Sequence, residues 1–184
     1  MNGPVSQSLR ERGLNYRVIF GVEWPRLVEL AAQYSKDHAL AAALWKEDIR
    51  ECRLIAPLLQ PLESYDGELA EVWMDDMKYP EEAQYCTMVL LQHLPDASDC
   101  AFRWIASDNA MHQLCGWLLM TRLFMRNAPL NQQSEDEFID QAEAAINNEN
   151  IHVRQAARNA ILKYALIGDR EELRVSKLLS LCNL

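Results

Sequence analysis

Apolar residues recur along this chain at spacings of three and four, and no stretch alternates over the length of a strand. In 68–77, Leu69, Val72, Trp73 and Met77 fall on one face while Glu71, Asp75 and Asp76 fall on the other. In 138–146 the same spacing joins Phe138, Ile139, Ala142, Ala145 and Ile146. From 151 to 164 it joins Ile151, Ala156, Ala157, Ala160, Ile161 and Tyr164. The pattern predicts an all-α chain.

The breaks between these stretches are short. Asp37 is placed to cap a helix ending at Trp45, and Lys46-Glu47 reads as the turn into a helix over 48–60. Pro61 and Asp66-Gly67 separate that helix from the one over 68–77. Tyr79-Pro80 opens a helix over 81–94, with the proline at a first-turn position that needs no N–H donor. Pro95-Asp96 precedes a helix over 97–106, and Asp108-Asn109 precedes a long apolar helix to about Arg126. Asn127-Ala128-Pro129 begins the longest polar connector, ending near Ser134. Helices over 135–147, 150–167 and 170–182 follow, the last two divided by Gly168-Asp169.

Many short helices with short turns fit a bundle or a solenoid. The segment Asn147-Asn148-Glu149-Asn150-Ile151-His152-Val153-Arg154-Gln155-Ala156-Ala157 favours the solenoid. A polar turn, a Val-Arg pair and twinned alanines resemble the second helix of a HEAT repeat, where small side chains admit a close neighbour. Boundaries every 35–45 residues agree with that repeat. The expectation is one domain over 1–184, an armadillo-type α-α superhelix of about five helix pairs.

Composition narrows the function classes. The net charge is −9 and the pI about 4.9. A surplus of carboxylates opposes a phosphate backbone at long range, so DNA binding would need a local basic face. The five cysteines (Cys52, Cys86, Cys100, Cys115, Cys182) form no CxxC pair, and each stands in an apolar helical context that suits a structural thiol. His38, His93, His112 and His152 are scattered, without zinc-ligand spacing. No metal or cofactor is expected. No apolar run approaches the ~20 residues of a membrane span, and no signal peptide is evident, so a cytoplasmic protein is expected.

A series of residues in the first half carries a family resemblance. Asn15-Tyr16-Arg17-Val18-Ile19-Phe20-Gly21-Val22 is followed by Glu23-Trp24-Pro25-Arg26-Leu27, then Leu40-Ala41, Leu44-Trp45, Ile49-Arg50-Glu51 and Ala56. In order and spacing these resemble the AlkD-like DNA alkylation repair proteins, a family of stacked helix pairs that includes DNA glycosylases. The match runs from about Tyr16 to Asp169.

The resemblance implies where chemistry would sit. In active members an acid lies three or four positions beyond an aromatic and stabilises the positive charge that develops on the sugar as the base departs. Tryptophans flank the cationic alkylpurine, and an arginine from the next helix pair holds phosphate. Here Pro80 stands at the aromatic position and Gln84 at the acidic one. Gln113, with Met111 and Leu114, replaces a later tryptophan and double arginine, and Asn159 replaces another tryptophan. Glu81 and Glu82 are the remaining candidate acids, although first-turn carboxylates commonly serve the helix dipole. From 61 to 84 there are eight carboxylates against Lys78, a net of −7, which would repel a duplex laid beside them.

Arg122, Arg126, Arg154, Arg158 and Lys163 are the densest basic set, with two pairs at i,i+4. They would bind phosphate or an acidic peptide, or pair with Glu135, Asp136, Asp140 and Glu143; pairing is the favoured expectation. Trp45, Trp73, Trp104 and Trp117 are expected in the core, Trp24 partly exposed, and Tyr79 and Tyr85 beside the altered site. The expected function is therefore a family member without glycosylase activity, a scaffold whose concave face holds a protein or nucleic-acid partner. The alternatives are a glycosylase for alkylated purines using Glu81 or Glu82, and a non-catalytic module that recognises DNA by shape.

Overall fold

A computed structural model describes residues 2–128 and 130–181, so Pro129 and the thiol of Cys182 lie outside the described residues. Among these residues the structure is all-α, with eleven α-helices. It divides into two compact units, 1–66 and 67–184.

The first unit holds α1 (Gly3–Glu11), α2 (Trp24–Ala31), α3 (His38–Trp45) and α4 (Arg50–Leu59), followed by a single 3-10 turn at Leu62–Ser64. Both α2 and α3 pack on α4. The Ile49-Arg50-Glu51 triplet holds the unit together. Ile49 forms a parallel bridge with Val18. The buried Glu51 carboxylate accepts the main-chain N–H groups of Phe20 (2.9 Å), Gly21 (2.9 Å) and Val22 (3.2 Å). Arg53 donates to the Trp45 carbonyl at 2.7 Å while its guanidinium lies 4.4 Å from the Trp45 ring centre. Gly21 takes φ +74°, and a Cβ there would meet the Asn2 carbonyl oxygen at 2.6 Å, so only glycine fits.

The second unit holds α5 (Gly67–Asp76), α6 (Pro80–Val89), α7 (Ala97–Ile105), α8 (Ala110–Met125), α9 (Gln132–Ala145), α10 (Ile151–Ala165) and α11 (Asp169–Leu181). Alternate helices form a continuous layer, α6 on α8 and α8 on α10. The intervening helices pack on it: α7 against α8, with α9 and α11 against α10. Small residues allow the closest approach. At Gly116 of α8 a Cβ would fall 2.8 Å from the Ile105 main-chain nitrogen. The core between α8, α9 and α10 is aromatic: the Phe138 ring centre lies 5.0 Å from Phe124 and 5.1 Å from Tyr164.

Asparagine and aspartate side chains start the helices as expected of N-caps. Asp37 accepts from the Leu40 N–H at 2.7 Å, Asn109 from Met111 at 2.8 Å and Asn150 from His152 at 2.9 Å. Trp45, Trp73, Trp104 and Trp117 are buried, and Trp24 is half-buried. Cys86, Cys100 and Cys115 are buried and Cys52 is half-buried, all as free thiols. Burial pushes the Cys115 thiol well above its usual range, and Cys100 reaches about 11 for the same reason, with Asp96 adding to it.

Several boundaries and faces differ from expectation. The helix predicted over 81–94 ends at Val89 and gives way to a 3-10 turn at Leu91–His93. Leaving the helix lets the adjacent Leu90 and Leu91 be buried together with Leu94. Helix α9 begins at Gln132, capped by Asn131, three residues ahead of the helix predicted over 135–147. Helix α1 lacks any buried residue and is held by polar contacts such as Ser6 Oγ to the Ile19 carbonyl at 2.9 Å, which is why apolar spacing did not predict it. Val72 and Ile151, placed on apolar faces by spacing, are 63% and 61% exposed; Ala70, Met74 and Val153 take the buried positions.

Candidate nucleic-acid interface

Helix α8 is buried almost all round, and a partly exposed strip carries the half-buried Leu118, Thr121 and Arg122 and the exposed Met125. A groove of about 340 Å³ runs between that strip and Gln84, Tyr85, Thr87 and Met88 of α6. A second groove of about 620 Å³ lies on the other side of Thr121, against Asn159, Leu162 and Lys163 of α10 and Glu172 of α11. The two adjoin at Thr121. The fold thus brings Gln84, Tyr85, Arg122 and Asn159, which are far apart in sequence, to neighbouring grooves.

The remaining expected site residues are placed elsewhere or put to structural use. Pro80 and Tyr79 stand at the start of α6, both half-buried and outside the two grooves. Glu81 is in the first turn of α6. Glu82 is buried and accepts the N–H groups of Lys78 (2.6 Å) and Tyr79 (3.2 Å), so its carboxylate closes the helix start. Gln113 lines a separate cleft with Trp117 and Asn148. Its amide braces two turns, donating to the Ser107 carbonyl at 2.6 Å and accepting from Asn148 at 3.1 Å.

The basic set separates in the same way. Arg126 donates to the Gln92 carbonyl at 2.7 Å, and Arg154 to the Asn148 carbonyl at 2.7 Å. Arg154 and Arg158 lie about a quarter turn or more around α10 from Asn159 and Lys163 and line neither groove. The expected pairing of these arginines with α9 is not what forms. The α9 carboxylates are taken by α11: Glu135 by Arg170 at 2.6 Å, Glu143 by Lys177 at 2.9 Å, and Asp136 by Arg174. Chain order hid this, because α11 follows α10 yet packs on both α9 and α10. Among the described residues Arg122, Arg158 and Lys163 have no ion pair.

The α5 carboxylates line neither groove. Glu71 accepts from Arg103 Nε at 3.0 Å and from the Trp104 indole N–H at 2.8 Å, and Asp75 meets His112 at 2.8 Å. No carboxylate lines the α6–α8 groove, and Glu172 alone lines the α8–α10 one. None of the carboxylates of α5 and α6 is among the lining residues of either groove.

Sequence reasoning missed Thr87 and Thr121. The signal for Thr87 was a lone hydroxyl in the apolar run Cys86-Thr87-Met88-Val89. The cleft chemistry as it stands is that of hydrogen-bond donors and one guanidinium between apolar walls. Among the described residues no group of three or more His, Cys, Asp or Glu side chains is placed to hold a metal ion. No helix among them is long and apolar enough to cross a membrane.

Comparison with known proteins agrees with this architecture. The structure is similar to a solved one from a family described as related to the HEAT-like repeat DNA glycosylases, with affinity for branched DNA structures. The TM-score is 0.83 at 19% identity, over 95% of this chain and 75% of that one. The shared fold is the HEAT-like repeat. No curated protein matches the chain by sequence. The model of a family described as DNA alkylation repair enzyme matches residues 6–174, across both compact units. The chain belongs to the DNA alkylation repair enzyme family.

Proposed function

We propose that this protein binds a nucleic-acid strand along the α6–α8–α10 face without excising bases, as a non-catalytic member of its family. The observation that carries this is the α6–α8 groove itself: Gln84 and the unpaired Arg122 line it, with no carboxylate among its lining residues. Base excision by this family's route needs a negative charge beside the sugar as positive charge develops there. A glutamine amide is neutral, and the nearest acid in sequence, Glu82, is buried in its helix cap. Arg122 and Lys163 supply the phosphate-neutralising charge that the net balance of −9 lacks elsewhere. The affinity of the structurally similar family for branched DNA supports the same reading. A single repeat domain fits the family match, which crosses the boundary between the units.

Binding of the purified protein to linear, branched and alkylated DNA across a salt series, with base release followed in the same tubes, tests the proposal. Salt-sensitive binding, stronger for branched DNA and without release above that of DNA alone, is expected. Release of alkylated purine would make the protein a glycosylase and direct attention to Glu81. Absence of binding in every arm would turn the scaffold reading toward a protein partner.

A further inference from the structure

Helix α3 carries no carboxylate, lysine or arginine from His38 to Trp45. A helix that is apolar all round is ordinarily buried all round, and α3 is not. It packs on α4, with Ala41 and Trp45 only 0% and 4% exposed. The opposite side lies open: Ala39, Leu40 and Ala43 are exposed and Leu44 is half-buried. Spacings of three and four put these residues on one helix face. No charged or hydrogen-bonding side chain interrupts that face, and Leu40 stands on it at 40% exposure.

The charges at the two ends of α3 come in mirrored order. Lys36 and Asp37 precede the helix, Lys46 and Glu47 follow it, and all four are exposed. Asp37 gives one oxygen to the Leu40 N–H and keeps its charge, while Glu47 meets Arg17 at 3.6 Å in an exposed pair of small worth. We propose that α3 packs antiparallel on α3 of a second copy of this chain, about a two-fold axis midway between positions 41 and 42. A two-fold contact requires one surface that complements itself, and this face does so in a single register. Leu40 meets the second copy's Ala43 and Leu44 its Ala39, so each large side chain lies over a small one. In the same register Lys36 meets Glu47 and Asp37 meets Lys46. A charged peptide would have to strip water from its own charges against this face, whereas a second copy brings none to the centre. The contact uses no residue of the α6–α8–α10 face, so it stands apart from the nucleic-acid reading, and a dimer carries two such faces.

Sedimentation velocity of the purified chain from about 5 to 500 μM measures the pairing, because the dimer fraction rises with concentration. Two helical turns from each copy make a contact well below the standard size, so a dissociation constant above about 1 μM is expected. Ala43→Glu sets a carboxylate in the middle of the exposed face and is expected to abolish the dimer with Tm unchanged. Lys36→Glu sets carboxylate against carboxylate at both ends of the contact, and Glu47→Lys sets amine against amine. Each is expected to weaken pairing about three- to tenfold. Mixing these two variants restores opposite charges at both ends, so the mixture is expected to associate like wild type. Salt at about 0.5 M is expected to remove the differences between the charge variants.

A chain that stays monomeric to about 500 μM would overturn the proposal and leave the face to a different protein. Dimerisation that Ala43→Glu leaves intact would overturn it by placing the contact elsewhere. Charge variants that weaken association and do not recover on mixing would overturn the antiparallel register. Loss in Ala43→Glu together with recovery on mixing would establish the pairing, whether or not the protein binds DNA.

Discussion

Glu51 and Thr87 are both buried polar residues, and they relate to the fold in opposite ways. The Glu51 carboxylate accepts three main-chain N–H groups from the 20–22 segment and also meets Arg50 at 3.3 Å. Removing it leaves those three main-chain donors without their acceptor and takes the counter-charge from the 7%-exposed Arg50, which keeps its bond to the Val22 carbonyl at 3.3 Å. Hydrogen bonds to a charge contribute about 1.5–3 kcal/mol each in favourable cases and are not additive, so Glu51→Ala should cost about 3–4 kcal/mol in denaturant unfolding. A loss below about 1 kcal/mol would mean that water replaces the carboxylate freely. Thr87→Val removes a group that makes no bond in the fold. Its stability should therefore hold or rise, and the contrast between the two variants separates a buried polar group that serves the fold from one that does not.

At the scale of elements, the close crossing of α7 and α8 depends on Gly116. A Cβ there would meet the Ile105 nitrogen at 2.8 Å and the Ala101 carbonyl oxygen at 2.9 Å, and main-chain atoms cannot rotate aside. Gly116→Ala should destabilise by about 1–3 kcal/mol, and trimming Ile105 to Val should not restore it. Unchanged stability would show that the two helices separate easily.

Helix α11 is held differently, by ion pairs to α9 around the buried Val175 and Leu178. The Arg170 hydrogen bonds hold the Glu135 carboxyl below its ordinary 4.5. A depressed carboxyl pKa adds stability that is present above that ordinary value and is lost as pH falls through the folded-state value. Arg170→Gln should therefore lower Tm near neutral pH, and the difference from wild type should shrink as pH falls from 4.5 through the lowered folded-state value. A difference that persists at low pH would assign the role of Arg170 to packing.

Across the whole molecule the balance of −9 opposes a phosphate backbone at long range, so a nucleic-acid complex would lean on the groove cations. Two groove cations neutralise about two phosphates, which predicts a slope near −2 and a fall of about tenfold in affinity between 50 and 200 mM salt. A slope of −5 or steeper would place much of the binding outside Arg122 and Lys163. The same argument puts specificity in shape and in the few groove contacts, because a weak long-range field cannot hold the protein to arbitrary DNA.

The helices, their caps and the repeat spacing were legible in the sequence because they follow from local rules. Asp37, Asn109 and Asn150 cap by contacts two or three residues ahead, and the tryptophans sit on runs apolar enough to require burial. The family was legible because the Glu51 clasp requires particular residues thirty positions apart in fixed order. The surface was not. Which helix supplies the α9 counter-ions, which face the α5 carboxylates take, and whether Gln84 meets Arg122 depend on packing between elements that local spacing does not encode. A lone threonine in an apolar run is the same letter whether its hydroxyl bonds its own helix, as at Thr121, or is buried without a partner, as at Thr87. The sequence determined the scaffold through short-range chemistry, and tertiary structure decided the charge and contents of the groove, because electrostatic partners are chosen by distance in space.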